Sequence, residues 1–144
     1  MRWPLVTLPI AREDDVVAVR QQVRQLAERA GFSTQEQTRL ATAVSEIARN
    51  AFEYGHGGRA TFLLREDDRS GQALVVKIAD RGPGIEDPDA VLEGRYRSKT
   101  GMGVGLLGAR RLVDGFELDT RKGRGTTVGA VVTGVPRPRR GTAR

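Results

Sequence analysis

At the start of the chain Val6, Leu8 and Ile10 alternate with Leu5, Thr7 and Pro9. A period of two is that of a β-strand, and the proline places it at a sheet edge, where a missing N–H is tolerated. From residue 12 to residue 29 the period changes. Val16, Val19, Val23, Leu26 and Ala30 recur at spacings of three and four, the apolar face of an amphipathic helix. Gly31 stops it. Ser33 or Thr34, with Glu36 or Gln37 three residues on, reads as a capping box that opens a second helix. Leu40, Val44, Ile47, Ala51 and Tyr54 form its stripe, and Gly55, Gly57 and Gly58 end it.

Residues 60–65 and 73–79 read as extended. Leu74, Val76 and Ile78 face one way, and Val75, Lys77 and Ala79 the other. The polar stretch 66–72 between them contains Gly71, so the two strands make a hairpin with a longer loop. Residues 80–84 form a turn cluster, and 87–92 a short helix. Residues 94–103 are polar, basic and glycine-rich, and read as mobile. Helical periodicity returns over 104–113 through Leu106, Leu107, Ala109 and Leu112. Residues 116–120 and 126–133 are the last strands, joined through Lys122, Gly123, Arg124 and Gly125. Strands in adjacent pairs, not alternating one by one with helices, predict an α+β fold. The expected form is a two-layer α/β sandwich with a mostly antiparallel mixed sheet and helices on one face.

Composition narrows the chemistry. The chain has 144 residues, the size of one domain, and no cysteine. Thiolate metal sites, disulfides and cysteine nucleophiles are excluded. A single histidine, His56, leaves no room for a His-rich zinc site or a His-based triad with a spare base. No apolar run has the length of a membrane helix and no signal-peptide core opens the chain, so a cytoplasmic protein without a membrane partner is expected. The net charge of +6 first suggests nucleic acid, but four arginines (Arg137, Arg139, Arg140 and Arg144) lie in a short Pro/Gly-containing tail. Of the 24 basic residues, 20 remain without them, against 18 acidic ones. A nearly neutral body carries no basic stripe, and no nucleic-acid partner is expected. The domain division is therefore 1–135 for the folded unit and 136–144 for a basic flexible tail.

Three clusters are candidates for chemistry. Glu46 and Asn50, four residues apart, share one helical face. A carboxylate there accepts a proton or orients a nucleophile, and an amide oxygen suits magnesium. Alternatively, Glu46 pairs with Arg49 and Asn50 merely sits near the helix end. Asp80-Arg81-Gly82-Pro83-Gly84-Ile85 follows an apolar strand: either an aspartate that accepts from an exocyclic amine, or a tight turn of common turn formers. Gly101-Met102-Gly103-Val104-Gly105-Leu106 runs into a helix, and N–H groups at a glycine-rich helix start form an anion site. It is not a dinucleotide-binding fingerprint, because a basic loop and not a strand precedes it. Nor do residues 94–100 make a P-loop, since Ser98 stands where glycine is needed before Lys99.

Glu-x-x-x-Asn on a helix, Asp-x-Gly-x-Gly after a strand, Gly-x-Gly-x-Gly opening a helix, and Gly125-Thr126-Thr127 at a strand start occur here in one order. Together they resemble the GHKL nucleotide-binding superfamily, whose members share the Bergerat fold. The resemblance spans residues 34–132. It implies ATP and Mg²⁺ as cofactors, with Asn50 on the metal that bridges the phosphates and Asp80 on the adenine amine. It further implies that Gly82, Gly84 and Ile85 shape the pocket floor, that Gly101, Met102, Gly103, Val104, Gly105 and Leu106 wrap the phosphates, and that residues 95–100 act as a lid. Within that lid, Lys99 either reaches the γ-phosphate or is solvated, with Thr100 beside it. Thr126 or Thr127 would support Asp80 or a water beside the adenine, and Glu46 would be the general base.

Larger relatives use a following domain that this chain is expected to lack, and His56 in a glycine-rich loop is the wrong context for a phosphoacceptor. Residues 43–50 and 103–114 are similar to RsbT-type serine/threonine switch kinases of the stressosome, and residues 116–127 continue the likeness. The implied activity is ATP-dependent phosphorylation of a serine or threonine on a STAS-domain protein of the RsbS or RsbR kind. Activation of a PP2C-type phosphatase would follow. The alternatives are an RsbW-type anti-sigma factor kinase that binds a sigma factor, and a non-catalytic module whose nucleotide only shapes a docking surface.

Overall fold

The computed structural model describes residues 2–67, 71–85, 87, 89–90 and 102–135. The elements follow in the order β1 (Arg2–Ile10), α1 (Glu13–Arg29), α2 (Thr34–Glu53), β2 (Gly58–Asp67), β3 (Gly71–Asp80), α3 (Met102–Arg111), β4 (Gly115–Arg121) and β5 (Gly125–Val135). Of the short helix expected over 87–92, only 87, 89 and 90 are described. The loop expected over 94–103 lies outside the described residues up to 101, and its last two residues belong to α3.

Both long helices start on side-chain caps. The Asp15 carboxylate accepts from the N–H groups of Ala11 and Arg12 at 2.8 and 2.9 Å. In α2 the box is reciprocal: Glu36 N–H donates to Ser33 Oγ at 3.1 Å, and Ser33 N–H to Glu36 Oε1 at 3.0 Å. Gly31, at φ 91°, turns the chain between the two helices, a backbone angle that favours glycine.

The five strands form one sheet in the order β1-β2-β3-β5-β4. All four pairings are antiparallel, so the described strands contain no parallel pair. The chain leaves β3 through α3, lays β4 at the far edge and returns β5 into the gap. The helices cover one face. Val16, Val19, Val23 and Ala27 of α1 are buried in one core with Leu40, Val44 and Ile47 of α2 and with Phe62, Leu74, Val76, Ile78, Val128 and Ala130 of the sheet. The buried stripe of α2 is wider than its sequence period suggests, taking in Ala41, Ala43, Ser45 and Ala48. The reason is that α2 packs against α1 on one side, α3 on the other and the sheet beneath. On the opposite sheet face Leu63, Ala73, Val75 and Val131 form a small second cluster. Arg65 and Glu117 are joined across that face by two hydrogen bonds, at 3.1 and 3.3 Å. Among the described residues no helix is long and apolar enough to cross a membrane.

Candidate functional site

The end of α2 meets the end of β3. The N–H groups of Tyr54 and Gly55 both close on Asn50 O, at 2.9 and 3.2 Å, and Gly57 N–H closes on Ala51 O at 2.8 Å. His56 then takes a left-handed conformation, φ 59°, as the chain reverses into β2. This reversal sets Gly55 directly against Asp80: a Cβ on Gly55 would collide with Asp80 Cγ, and one on Gly82 would lie 2.6 Å from Gly55 Cα. Two glycines packed back to back thus leave the Asp80 side chain a single slot.

Within that slot the two carboxylate oxygens are unequal. Oδ1 accepts from Gly82 N–H at 2.9 Å and from Thr126 N–H at 3.1 Å. No donor to Oδ2 is found among the described residues. Burial raises the Asp80 carboxyl above the usual aspartate value, against the lowering pull of the Gly82 and Thr126 N–H groups and of nearby His56. The loop after Asp80 is stitched to the β4–β5 hairpin. Gly123 N–H donates to Pro83 O at 2.7 Å, and Ile85 N–H to Thr120 Oγ1 at 2.8 Å.

Asp80 lies at one end of a cleft of about 380 Å³ with apolar walls, Ile47 from α2, Ile78 and Val128 from the sheet, Ile85 from the loop and Leu106 from α3. Asn50, Gly84 and Thr126 also line it. A cleft with apolar walls and a carboxylate and an amide in its lining suits a heteroaromatic ring with an exocyclic donor. Toward α3, the Asn50 and Glu46 side chains converge on Gly105. A Cβ there would lie 3.2 Å from Glu46 Oε2 and 3.5 Å from Asn50 Nδ2. Asn50 Nδ2 is buried without a partner, and such a donor awaits an acceptor. Glu46 is held 3.4 Å from the Arg49 guanidinium, so the ion pair read from the sequence coexists with the convergence on Gly105.

The structure therefore gathers Asn50, Asp80, Gly84, Ile85, Leu106 and Thr126 around one cleft. Gly82 backs Asp80 instead of lining it, and Gly105 lies under Glu46 and Asn50. Thr127, which strand alternation turns to the other sheet face, lies in a shallow depression with Lys77, Glu117 and Asp119. Of the two threonines, the one at the cleft is Thr126. Met102, Gly103 and Val104 open α3. Lys99, Thr100 and Gly101 lie outside the described residues. Sequence reasoning missed Gly55, Tyr54 and Thr120. For Thr120 a signal existed: a hairpin turning through Gly123 sets Thr120 opposite Thr126, and the two are cross-strand partners.

Residues 10–132 match the histidine kinase-like ATPase domain family. The serine/threonine-protein kinase RsbT of Bacillus subtilis is 39% identical over 122 residues, covering 85% of this chain and 91% of that protein. An anti-sigma F factor of Clostridium beijerinckii is 31% identical over 93 residues, 62% of this chain and 65% of that protein. Among solved structures, the crystal structure of the SiaB-SiaC complex from Pseudomonas aeruginosa contains a chain that superposes with a TM-score of 0.58. That match covers 90% of this chain and 91% of the other at 15% identity, a likeness of fold alone.

Proposed function

The chain belongs to the histidine kinase-like ATPase domain family, and from that premise we propose that it is an ATP-dependent protein serine/threonine kinase of a bacterial partner-switching system. The observation that carries this reading is Asp80, with one oxygen locked by two backbone N–H groups and the other without a donor among the described residues, in the lining of an apolar cleft. Adenine fits that end, its exocyclic amine donating to Oδ2 and its ring lying between Ile78, Ile85 and Val128. Similarity to a protein named as a serine/threonine kinase supports transfer to a protein hydroxyl over simple hydrolysis.

The triphosphate would run from this ring toward α3. There the N–H groups of the first turn and the helix dipole favour anions, and the orphan Nδ2 of Asn50 gains an acceptor oxygen. No group of three or more acidic, His or Cys side chains able to hold a metal exists among the described residues. A hard amide oxygen completed by phosphates and waters fits Mg²⁺, which needs few protein ligands, and Asn50 would supply that oxygen. Held by Asn50, Mg²⁺ would supply charge neutralisation for the phosphates. Glu46 would take the proton from the acceptor hydroxyl as its oxygen attacks the γ-phosphorus and ADP leaves. The Arg49 guanidinium, 3.4 Å away, holds that carboxylate on the face it shares with Asn50. Lys99 and Thr100 would complete the phosphate side as part of a lid over 95–100, and Gly101 would wrap the phosphates with Gly103 and Gly105.

Residues 1–135 would form the catalytic unit and 136–144 a basic tail. The proposed acceptor is a serine or threonine of a STAS-domain protein of the RsbS or RsbR type. The new phosphate, about −1.5 to −2 charges, would break the docked interface and release the kinase to activate a PP2C-type phosphatase in the cytoplasm. The anti-sigma F factor similarity favours a second reading, binding of a sigma factor on the same fold. Pull-down with a STAS protein, a PP2C phosphatase and a sigma factor separates the two. The decisive assay is transfer of labelled γ-phosphate to the STAS protein, followed by mapping of the modified residue. Glu46→Gln is expected to abolish transfer and spare ATP binding; undiminished transfer removes Glu46 as the base.

A further inference from the structure

Asp80 also lines a second cavity, of about 450 Å³, at the end of the sheet where β1 runs out, β2 begins and β3 ends. Apart from Asp80 it shares no lining residue with the nucleotide cleft. Two glycines make its floor bare backbone: a Cβ on Gly57 would lie 2.6 Å from Ile10 O, and one on Gly58 would collide with Ala79 O. Around that floor stand three exposed basic side chains, His56, Arg59 and Arg81. None of the three has an ion-pair partner among the described residues, whereas Arg12, Arg49 and Arg65 each have one. The one acid in the lining, Asp80, has an oxygen already taken by the Gly82 and Thr126 N–H groups. Even with Asp80 ionised the lining is net positive, by one charge with His56 neutral and by two with it protonated. His56 adds a backbone signal. It is the one non-glycine among the described residues with a positive φ, 59°, although glycines flank it on both sides. Histidine carries strain there that glycine would not, and such strain is kept where the side chain has a task.

We infer that His56, Arg59 and Arg81 form a second binding site, for an oxyanion carried on an acidic side chain of a partner polypeptide. A guanidinium takes a carboxylate or a phosphoryl group through paired N–H donors, and a protonated imidazole adds a further charged donor. The size of the cavity selects the source. A free phosphate fills a small part of 450 Å³, whereas an acidic side chain enters together with the residues that flank it. The walls are in place before any ligand arrives: Arg81 N–H donates to Gly55 O at 3.1 Å, and Gly57 N–H to Ala51 O at 2.8 Å, so the two segments that carry His56 and Arg81 are tied to each other and to α2. A site fixed in this way loses little freedom on binding. The inference stands apart from the nucleotide reading, since it uses Asp80 only as a wall.

The chain has a single histidine, so its ring-proton NMR signals need no assignment and report on the cavity directly. The full chain is titrated with three blocked peptides that differ only at two central positions, which hold glutamate, glutamine or phosphoserine, and separately with inorganic phosphate. Saturable movement of the His56 signals is expected with the glutamate or the phosphoserine peptide and none with the glutamine one. The tighter of the two charged peptides tells whether a carboxylate or a phosphoryl group is the one taken. Arg59→Gln and Arg81→Gln should each weaken that binding about fivefold. His56→Gly, followed by calorimetry, should weaken it about threefold while Tm stays level or rises, because the backbone strain is relieved. A histidine with no part in binding would move Tm alone. The inference is overturned if neither charged peptide binds, if the glutamine peptide binds as well as they do, or if either arginine variant binds as tightly as wild type. Binding of inorganic phosphate with both charged peptides inert means an adventitious ion only, and overturns it too. A wild-type protein that takes a charged peptide but no Mg²⁺-ADP removes the nucleotide reading and leaves this site standing.

Discussion

Asp80 shows how one side chain can be split into a structural half and a recognition half. Its Oδ1 closes two backbone N–H groups, and its Oδ2, without a donor among the described residues, is the atom proposed to meet the nucleotide. Asp80→Asn therefore separates the two jobs. The amide oxygen can keep both N–H groups while its NH₂ replaces Oδ2, turning an acceptor into a donor. We expect a native fold with ATP affinity reduced about 10- to 100-fold, the worth of roughly 1.5–3 kcal/mol for a hydrogen bond to a charged group. Calorimetry checks the first and circular dichroism the second. The pH dependence has a definite sign. Burial raises the folded pKa of Asp80 above its unfolded value, so between the two the native state holds more protons. This group's contribution to stability falls as pH rises through that window and is flat above it. Wild-type melting temperature should decline relative to Asp80→Asn over the same rise in pH, whereas ATP affinity, which needs the carboxylate, should fall as pH drops through it. Parallel stability curves for the two proteins would contradict the burial argument.

At the scale of elements, what was legible depended on whether the signal was local. The Ser33–Glu36 box could be read because cap and partner are three residues apart. Ser33→Ala should cost about 1 kcal/mol in denaturant unfolding. The Asp15 cap was passed over since Arg12 is no conventional cap residue, although an acidic first turn of Glu13, Asp14 and Asp15 was in plain view. The Ala27 burial and the small residues on the flank of α2 were not legible, because they depend on which helices pack beside it. Asn50, Asp80 and Thr126 were legible as motif positions, but the choice of Thr126 over Thr127 needed the sheet's face assignment. Gly55 looked like a helix terminator. Its second task, making room for Asp80, appears only when β3 is laid against the end of α2. Gly55→Ala is thus expected to weaken ATP binding more than a helix-end substitution should, with α2 retained. Affinity equal to wild type would mean the slot can widen without cost.

For the whole molecule, the cleft draws walls from α2, β3, the loop after it, α3 and β5, so a ligand there ties together segments far apart in the chain. Nucleotide should stabilise the folded state globally. At a hundredfold excess over Kd the gain is about 2.7 kcal/mol, which for a chain of this size raises Tm by several degrees in a thermal scan. Mg²⁺-ADP should produce that shift and Mg²⁺-IDP much less.

The first strand has a further consequence for how this protein meets others. β1 is a sheet edge, and along its nine residues Pro4 and Pro9 bring no N–H while the register slips between Pro4 and Val6. An incoming polypeptide that tried to add itself alongside would find gaps in the row of donors and a step in the spacing. Backbone-to-backbone annexation on that flank is thereby discouraged, and of the two sheet edges β4 is the one without a proline.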